Sequence, residues 1–574
     1  MAFPPLALPS LLGTSSSPQL PFKLRPGALT AAAAAAAAGA SVVLFLSSLG
    51  RRRRLLLGLR ASRWAPNGTW LVNVRLPVAA VAASCQGSNG KHSSLMANAD
   101  EEGLLACDVH VARGGRIVAV ELTGVSRRPL GSLTVDVGGA IAFPGFVDSH
   151  THLVKTQTVL RNRNPTGTIN DALRCEFSDQ PRWAISAGGN DVARRMDFAL
   201  RCCWHHGAVA VRTHLDGTNS PDKAVRHTVY AAFDKARSRW LPRGLELQGV
   251  ANLFLPLWAD ADEASKHAEE AASHAGVVLG AYCGKVISDE ESAKKAAEQA
   301  FDGLFKEAKR HKMDVDLHID ESNDPECCAL LPMCLSLSRA RAAGFTGHVV
   351  VGHATSLALQ RKERRDEVLR RLPQLGPLTV VVNPLTNLGL QDRRGTTADV
   401  GSPIDASAPR TPHWRGLTLV QELRAAGVPV GAASDNVRDW WHPYGDYDCL
   451  SVFAATLALG HLDTAPSEGS WTDLVTSAPA RALGLESGVG SLAPGSRADL
   501  VLFPGARHFS ELLARPQQSD RVILRGGAMQ ASELPDYAEL DDLVSEKTQK
   551  PGPGTPTVKR GCSSSLELDG RKLS

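Results

Sequence analysis

Eight short apolar runs recur along this chain of 574 residues, each rich in β-branched side chains and each closing on a polar residue. The first, Phe143-Pro-Gly-Phe-Val, ends in Asp148-Ser-His150-Thr-His152. The next seven end at His214 and Asp216, at Asn252, near Tyr282, at His318 with Asp320 and Glu321 just after, at His353, at Asn383 and at Asp435. Stretches with three- and four-residue apolar steps lie between them, at Asp260–His274, Glu290–Lys312, Leu357–Leu372 and Leu417–Ala426. Strands alternating with helices imply a parallel sheet. Eight such units predict an α/β fold, a closed (β/α)8 TIM-like barrel over residues 143–487. In such a barrel the chemistry sits at the C-terminal strand ends, where these polar residues fall.

The flanks read differently. Thr69–Pro77, Ala106–Val111, Arg116–Leu122 and Ser132–Val137 alternate as strands do. Beyond the barrel, a Gly490–Ala498 turn leads into a strand through Phe503, and Asp520–Leu524 with Met529 reads as a hairpin. Residues 69–142 and 488–535 are therefore expected to pair into one small β-sandwich. Residues 536–574 are expected to be a largely disordered extension, since Pro, Gly, Ser and Lys dominate after Pro551.

Residues 1–68 form a leader. No acidic residue precedes Asp100, and Ser, Pro, Arg and Ala prevail, as in organelle transit peptides. The expected destination is the plastid, with the mitochondrion as alternative. Residues 28–50 are uncharged and followed by Arg51–Arg54, so an N-terminal membrane anchor is the competing reading. With 63 basic against 59 acidic residues and no basic patch interleaved with aromatics, nucleic acid is not an expected partner. Eleven cysteines show no framework spacing, which reads as reduced thiols. The adjacent pairs Cys202-Cys203 and Cys327-Cys328 are expected inside helices. Whether the chain forms a homo-oligomer is open.

Alternate residues of a strand point to one side, so His150 and His152 can grip a single ion from a strand end. Alone, a His-x-His is as readily a pair of core histidines. His318, His353 and Asp435, each at its own strand terminus, change that weighting. Imidazoles plus a carboxylate suit one divalent ion, zinc or iron(II), with positions left for water.

The motifs F-P-G-F-V-D-S-H-T-H-L, V-R-T-H-L-D, L-H-I-D-E-S, V-G-H-A-T-S, N-P-L-T-N-L-G-L-Q-D-R-R and A-S-D-N resemble the amidohydrolase superfamily, within it the barrel-type bacterial cytosine deaminases and their relatives. The resemblance spans roughly Val72 to Leu543. It implies His150, His152, His318 and Asp435 as metal ligands, Glu321 as the acid/base serving a ring nitrogen, His353 as the residue aiming the water, with Asp435 sharing its proton, and Trp441 closing the pocket. The implied reaction is hydrolytic deamination of a cyclic amidine, with cytosine to uracil as first expectation. Binuclear members use a carbamylated lysine; Lys285 lies near that place but reads as a loop residue, because the neighbouring motifs match the mononuclear deaminases.

Substrate choice departs from that pattern. Phe254 falls where those enzymes carry a ring-reading Gln, Asn436 replaces an acid after the metal Asp, and Val154 another after His-x-His-Leu. A site that lacks its ring-pairing amide loses much discrimination. Another nitrogen heterocycle, such as isocytosine, creatinine or an aminotriazine, is therefore an alternative, recognised through Asn252 or Asn383. A non-catalytic binding protein of the same fold is disfavoured, since every expected ligand is retained.

Overall fold

The computed structural model describes residues 50–62, 65–82, 97–125, 128, 132–185, 190–284, 286, 291–393, 411–464, 468–485, 488–517, 520–544, 566–568 and 571–573. The leader before Gly50, including most of the apolar stretch, and Lys285 lie outside them. Among the described residues no helix is long and apolar enough to cross a membrane.

The flank strands are β1 (Thr69–Pro77), β2 (Leu104–Val111), β3 (Ile117–Leu122), β4 (Leu133–Asp136) and β5 (Ile141–Pro144). The barrel strands follow: β6 (Phe146–Thr151), β7 (Ala208–His214), β8 (Glu246–Phe254), β9 (Val277–Tyr282), β10 (Val315–Ile319), β11 (Val349–His353), β12 (Leu378–Val382) and β13 (Val430–Ala432). These eight pair in sequence order, all parallel. A bridge between Thr151 and Asp435, with Asp435 N–H donating to the His150 carbonyl at 2.8 Å, joins the last strand to the first. Closure thereby brings Asp435 beside the His-x-His.

The helices of the outer ring present apolar stripes to the strands. Lys223–Trp240 buries Val225, Val229, Phe233, Ala236 and Trp240 at three- and four-residue steps, and Asp222 caps it by accepting from Ala224 N–H. Ala261–Ala272 is capped likewise by Asp260, which accepts from Asp262 and Glu263. Such caps satisfy amides the helix itself leaves open. Inside the barrel the Arg212 charge is paired, donating to Asp316 at 3.0 Å and to Gln248 at 2.7 Å. An unpaired charge there would carry a heavy desolvation cost.

The two flanks meet in one sheet. β14 (Leu500–Phe503) pairs antiparallel with β5 and with β15 (Val522–Arg525), which continues into β16 (Ala528–Gln530). With β1 to β4 they make one eight-stranded sheet in which β4 and β5 pair in parallel with successive parts of β1. The Phe143–His152 run is two strands rather than one. It leaves the flank sheet after Pro144 and enters the barrel at Phe146, with Gly145 at the switch. A Cβ on Gly145 would meet Val209 Cγ1 at 2.3 Å, so the crossing strand needs glycine there.

One local expectation is corrected. Cys202 and Cys203 do lie in a helix (Asn190–His206), but Cys327 and Cys328 precede the helix Leu330–Ala342, in a loop gathered around the buried Asp320 carboxylate, which accepts from Ala329 and Leu330 N–H. Tyr537–Leu540 and Asp541–Val544 are helical and dock on Asn190–His206 through Arg194–Asp542 and Arg201–Glu539 pairs. Leu566–Leu568 pairs antiparallel with Arg571–Leu573.

Candidate metal centre and active site

The expected ligands gather at the C-terminal mouth of the barrel, where His150, His152 and Asp435 offer atoms within 4.8 Å of one another, as do His150, His214 and His318. His150 and His152 leave β6 on the same side, His318 comes from β10, and Asp435 follows β13. His152 Nε2 lies 3.2 Å from His318 Nε2 and 3.3 Å from Asp435 Oδ1. His150 Nε2 lies 3.6 Å from the same oxygen. Two nitrogens each about 2.1 Å from a shared tetrahedral ion would stand about 3.4 Å apart, so this spacing is that of ligands around one centre. The satisfaction of these atoms agrees. His150 Nε2 and both Asp435 oxygens are buried and have no hydrogen-bond partner. Buried polar atoms are otherwise paired, and a cation here meets that need.

The far-side nitrogens of His150 and His152 are held, whereas His318 Nδ1 is buried without a partner. His152 Nδ1 faces both Asp216 oxygens at 3.0 Å. Asp216 also receives the Tyr282 hydroxyl at 2.9 Å and the Lys155 ammonium at 3.1 Å. Burial pushes the Asp216 carboxyl up, yet His152 and Lys155 beside it hold it well below the usual carboxylate range. Burial and the neighbouring imidazoles hold His150 and His318 far below an ordinary histidine, so both offer neutral nitrogens. His152 is drawn up to about 9, burial being outweighed by Asp216, so cation binding there displaces a proton. His150 Nδ1 lies 3.1 Å from His214 Nε2, and His214 Nδ1 lies 2.9 Å from the Asn252 amide.

A second group of residues borders the cation site. His353 Nδ1 is 3.4 Å from Glu321 Oε1 and 3.2 Å from the Asn387 amide nitrogen, which itself donates to Glu321 at 3.3 Å. Asn383 Nδ2 lies 3.3 Å from the His353 ring. Burial raises the Glu321 carboxyl above its ordinary value against the pull of His353, which suits a group that must both give and take a proton. His353, Asp320 and Asp435 have left-handed backbones at φ 69°, 54° and 59°. Such strain in non-glycine residues costs of order 1–3 kcal/mol each and collects at functional sites.

Of the residues expected to read the substrate, Asn383 and Trp441 border the site. Trp441 lies with the Lys155 ammonium 3.5 Å over its ring. Phe254 is half-buried at the end of β8, its ring 5.8 Å from that of Tyr282. Asn252 is buried and turned onto His214. Asn436 is committed to its own turn, donating to Asp439 at 2.8 Å and receiving nothing from the mouth. His214, Asp216, Lys155 and Asn387 were not singled out as site residues from the sequence. His214 and Asp216 were visible at a strand end in the same alternating spacing as His150 and His152, and that repetition was the available signal. Lys155 offered only its position three residues past His152.

Comparisons with known proteins identify the family. The profile described as "Amidohydrolase family" matches residues 162–529. Pterin deaminase of Rhizobium rhizogenes (strain K84 / ATCC BAA-868) is 35% identical over 445 residues, 77% of this chain and 92% of that protein. N-isopropylammelide isopropyl amidohydrolase of Pseudomonas sp. (strain ADP) is 24% identical over 64% of this chain and 81% of its own length. Among solved structures, 5-methylcytosine deaminase from Klebsiella pneumoniae liganded with 5-fluorocytosine superposes with a TM-score of 0.61 at 21% identity, covering 82% of this chain and 98% of that one. The family match and the sequence relatives together place the chain in the amidohydrolase family, metal-dependent hydrolases of carbon–nitrogen bonds.

Proposed function

We propose that this enzyme hydrolytically deaminates the 2-amino-4-oxo pyrimidine ring of a pterin, releasing ammonia and leaving a 2,4-dioxo ring. The observation that carries the substrate is the 35% identity to a pterin deaminase across nearly its whole length. The aromatic pair Phe254 and Tyr282 supports it. A phenyl ring where a cytosine deaminase would carry an amide favours stacking on a flat fused ring over pairing with a single pyrimidine edge.

A divalent ion, zinc or iron(II), held by His150, His152, His318 and Asp435 supplies the Lewis acidity that lets water ionise near neutral pH. The chain's own groups do the rest. Asp435 turns Oδ1 toward the two β6 histidines, and Oδ2, without a partner, is placed to take the first water proton. His353, held by Asn383 and Asn387, aims the water. As the oxygen bonds to C2, protonated Glu321 gives its proton to the adjacent ring nitrogen. The C2–amino bond then breaks, the amino group leaving as ammonia with the proton Asp435 had taken. Glu321 recovers a proton from the C2 hydroxyl as it becomes a carbonyl.

The test is ammonia release by zinc- or iron-loaded enzyme on pterin, isocytosine, cytosine, creatinine and an aminotriazine. Preferred turnover of pterin is expected. Turnover of cytosine with none of pterin would return the substrate to the single ring.

A further inference from the structure

The hydrogen-bond chain behind His150 constrains where protons sit. His150 presents Nε2 to the ligand cluster and Nδ1 to His214 Nε2 at 3.1 Å. A neutral imidazole that binds a metal through Nε2 keeps its proton on Nδ1. That proton must point at an acceptor, so His214 Nε2 carries none. His214, neutral in turn, has its proton on Nδ1, aimed at the Asn252 amide, whose nitrogen as placed stands 2.9 Å away. The amide atom that meets it must therefore be oxygen.

The opposite orientation propagates the opposite way. An amide nitrogen facing His214 would donate to Nδ1 and push the His214 proton to Nε2. That would force His150 Nδ1 to accept, and would move the His150 proton onto the nitrogen that has to bind the ion. A doubly protonated His214 escapes this only by burying a cation within 3.1 Å of a ligand. Oxygen and nitrogen of an amide are exchanged by a half-turn and told apart by their partners. Oδ1 of Asn252 has no partner, so the half-turn gives up only the contact between the Asn252 side chain and the Tyr282 hydroxyl. Space for the amide comes from Gly280, its neighbour across β8 and β9, where a Cβ would lie 2.3 Å from the Asn252 side chain.

We propose that Asn252 is a positioning residue for the metal, its amide oxygen accepting from His214 and so setting His150 in the tautomer that can bind the ion. This rests on the metal reading above and reassigns Asn252 away from the substrate.

The test is zinc affinity of the full-length protein by competition with a chromophoric chelator, with thermal unfolding of the metal-free forms as a folding check. Asn252→Asp offers only acceptors and is expected to bind zinc at least as tightly as wild type. Asn252→Leu keeps the volume, removes the acceptor, and is expected to bind about 10- to 100-fold more weakly, the usual loss for an outer partner of a ligand histidine. Should the leucine variant fail to fold, Asn252→Ala makes the same measurement. Wild-type affinity in the leucine or alanine variant would overturn the proposal, as would an aspartate variant as weak as leucine. So would an alanine variant whose only change is a raised KM, which would return Asn252 to the substrate. Failure of the metal reading is separate: wild type and His318→Ala would then bind zinc alike.

Discussion

Gly352 makes a demanding test of the centre, because its role is purely one of space. It lies on β11 opposite His318, and its backbone is not in the left-handed region. Alanine is therefore acceptable there conformationally. A Cβ, however, would lie 2.7 Å from the Leu317 carbonyl oxygen and 3.0 Å from His150 Cε1. Ordinary contact begins near 3.4 Å, so the shortfall is about 0.7 Å against a sheet carbonyl and about 0.4 Å against the ligand ring. The carbonyl belongs to a paired strand and yields little, so His150 is the group that moves. Metal–ligand distances tolerate about 0.2 Å, half of what the ring must give. Overpacking of this kind costs about 1–3 kcal/mol. Gly352→Ala is thus expected to lower the melting temperature of the metal-free protein and to weaken zinc by tenfold or more, about 1.4 kcal/mol. Gly431→Ala on β13 is the control, since its nearest contacts would be at 3.6 Å. Calorimetry and chelator competition on both variants decide it. If Gly352→Ala keeps wild-type stability and zinc affinity, His150 does not sit where the ligand reading requires.

Four further outcomes are expected. Elemental analysis of wild type should find one divalent ion per chain and His318→Ala should lose it; two ions per chain would revive a binuclear centre. Glu321→Gln should keep its metal and lose about 10²–10⁴ in turnover; near-normal ammonia release would move the proton shuttle to another residue, His353 first. Burial, with Arg212, Arg341 and Arg481 nearby, holds His348 down at about 4. The folded state then refuses a proton the unfolded chain accepts, so stability is full above about pH 6.5 and falls, by up to about 3 kcal/mol, as pH drops toward 4. His348→Gln should flatten that slope in urea titrations at pH 7.5 and 4.5, and an unchanged slope would refute the assignment. A fluorescent fusion of residues 1–68 should enter the plastid; a diffuse cytosolic signal would refute targeting, and an alkali-resistant membrane signal would favour the anchor.

What the sequence determined by itself is what depends on near neighbours along the chain. Strand period places His150 and His152 on one side. Eight runs closing on polar residues announce a barrel with its chemistry at one end, and His318, His353 and Asp435 each declare themselves as strand termini. What only the tertiary structure decided are the partners of those residues. Asn252 and Asn436 read from sequence as substrate contacts, yet the pairing of β7 with β8 puts one against His214 and a local turn ties the other to Asp439. Asp216 becomes a holder of His152 only because β6 and β7 lie side by side, and Lys155 reaches both Asp216 and Trp441 only once the last strand returns to the first. The break at Gly145 was hidden because both halves of that run are apolar; the difference between them lies in which sheet each joins. Periodicity reports which face a residue occupies. Which atom meets it across that face is set by register between strands that are distant in sequence, and no local pattern carries that information.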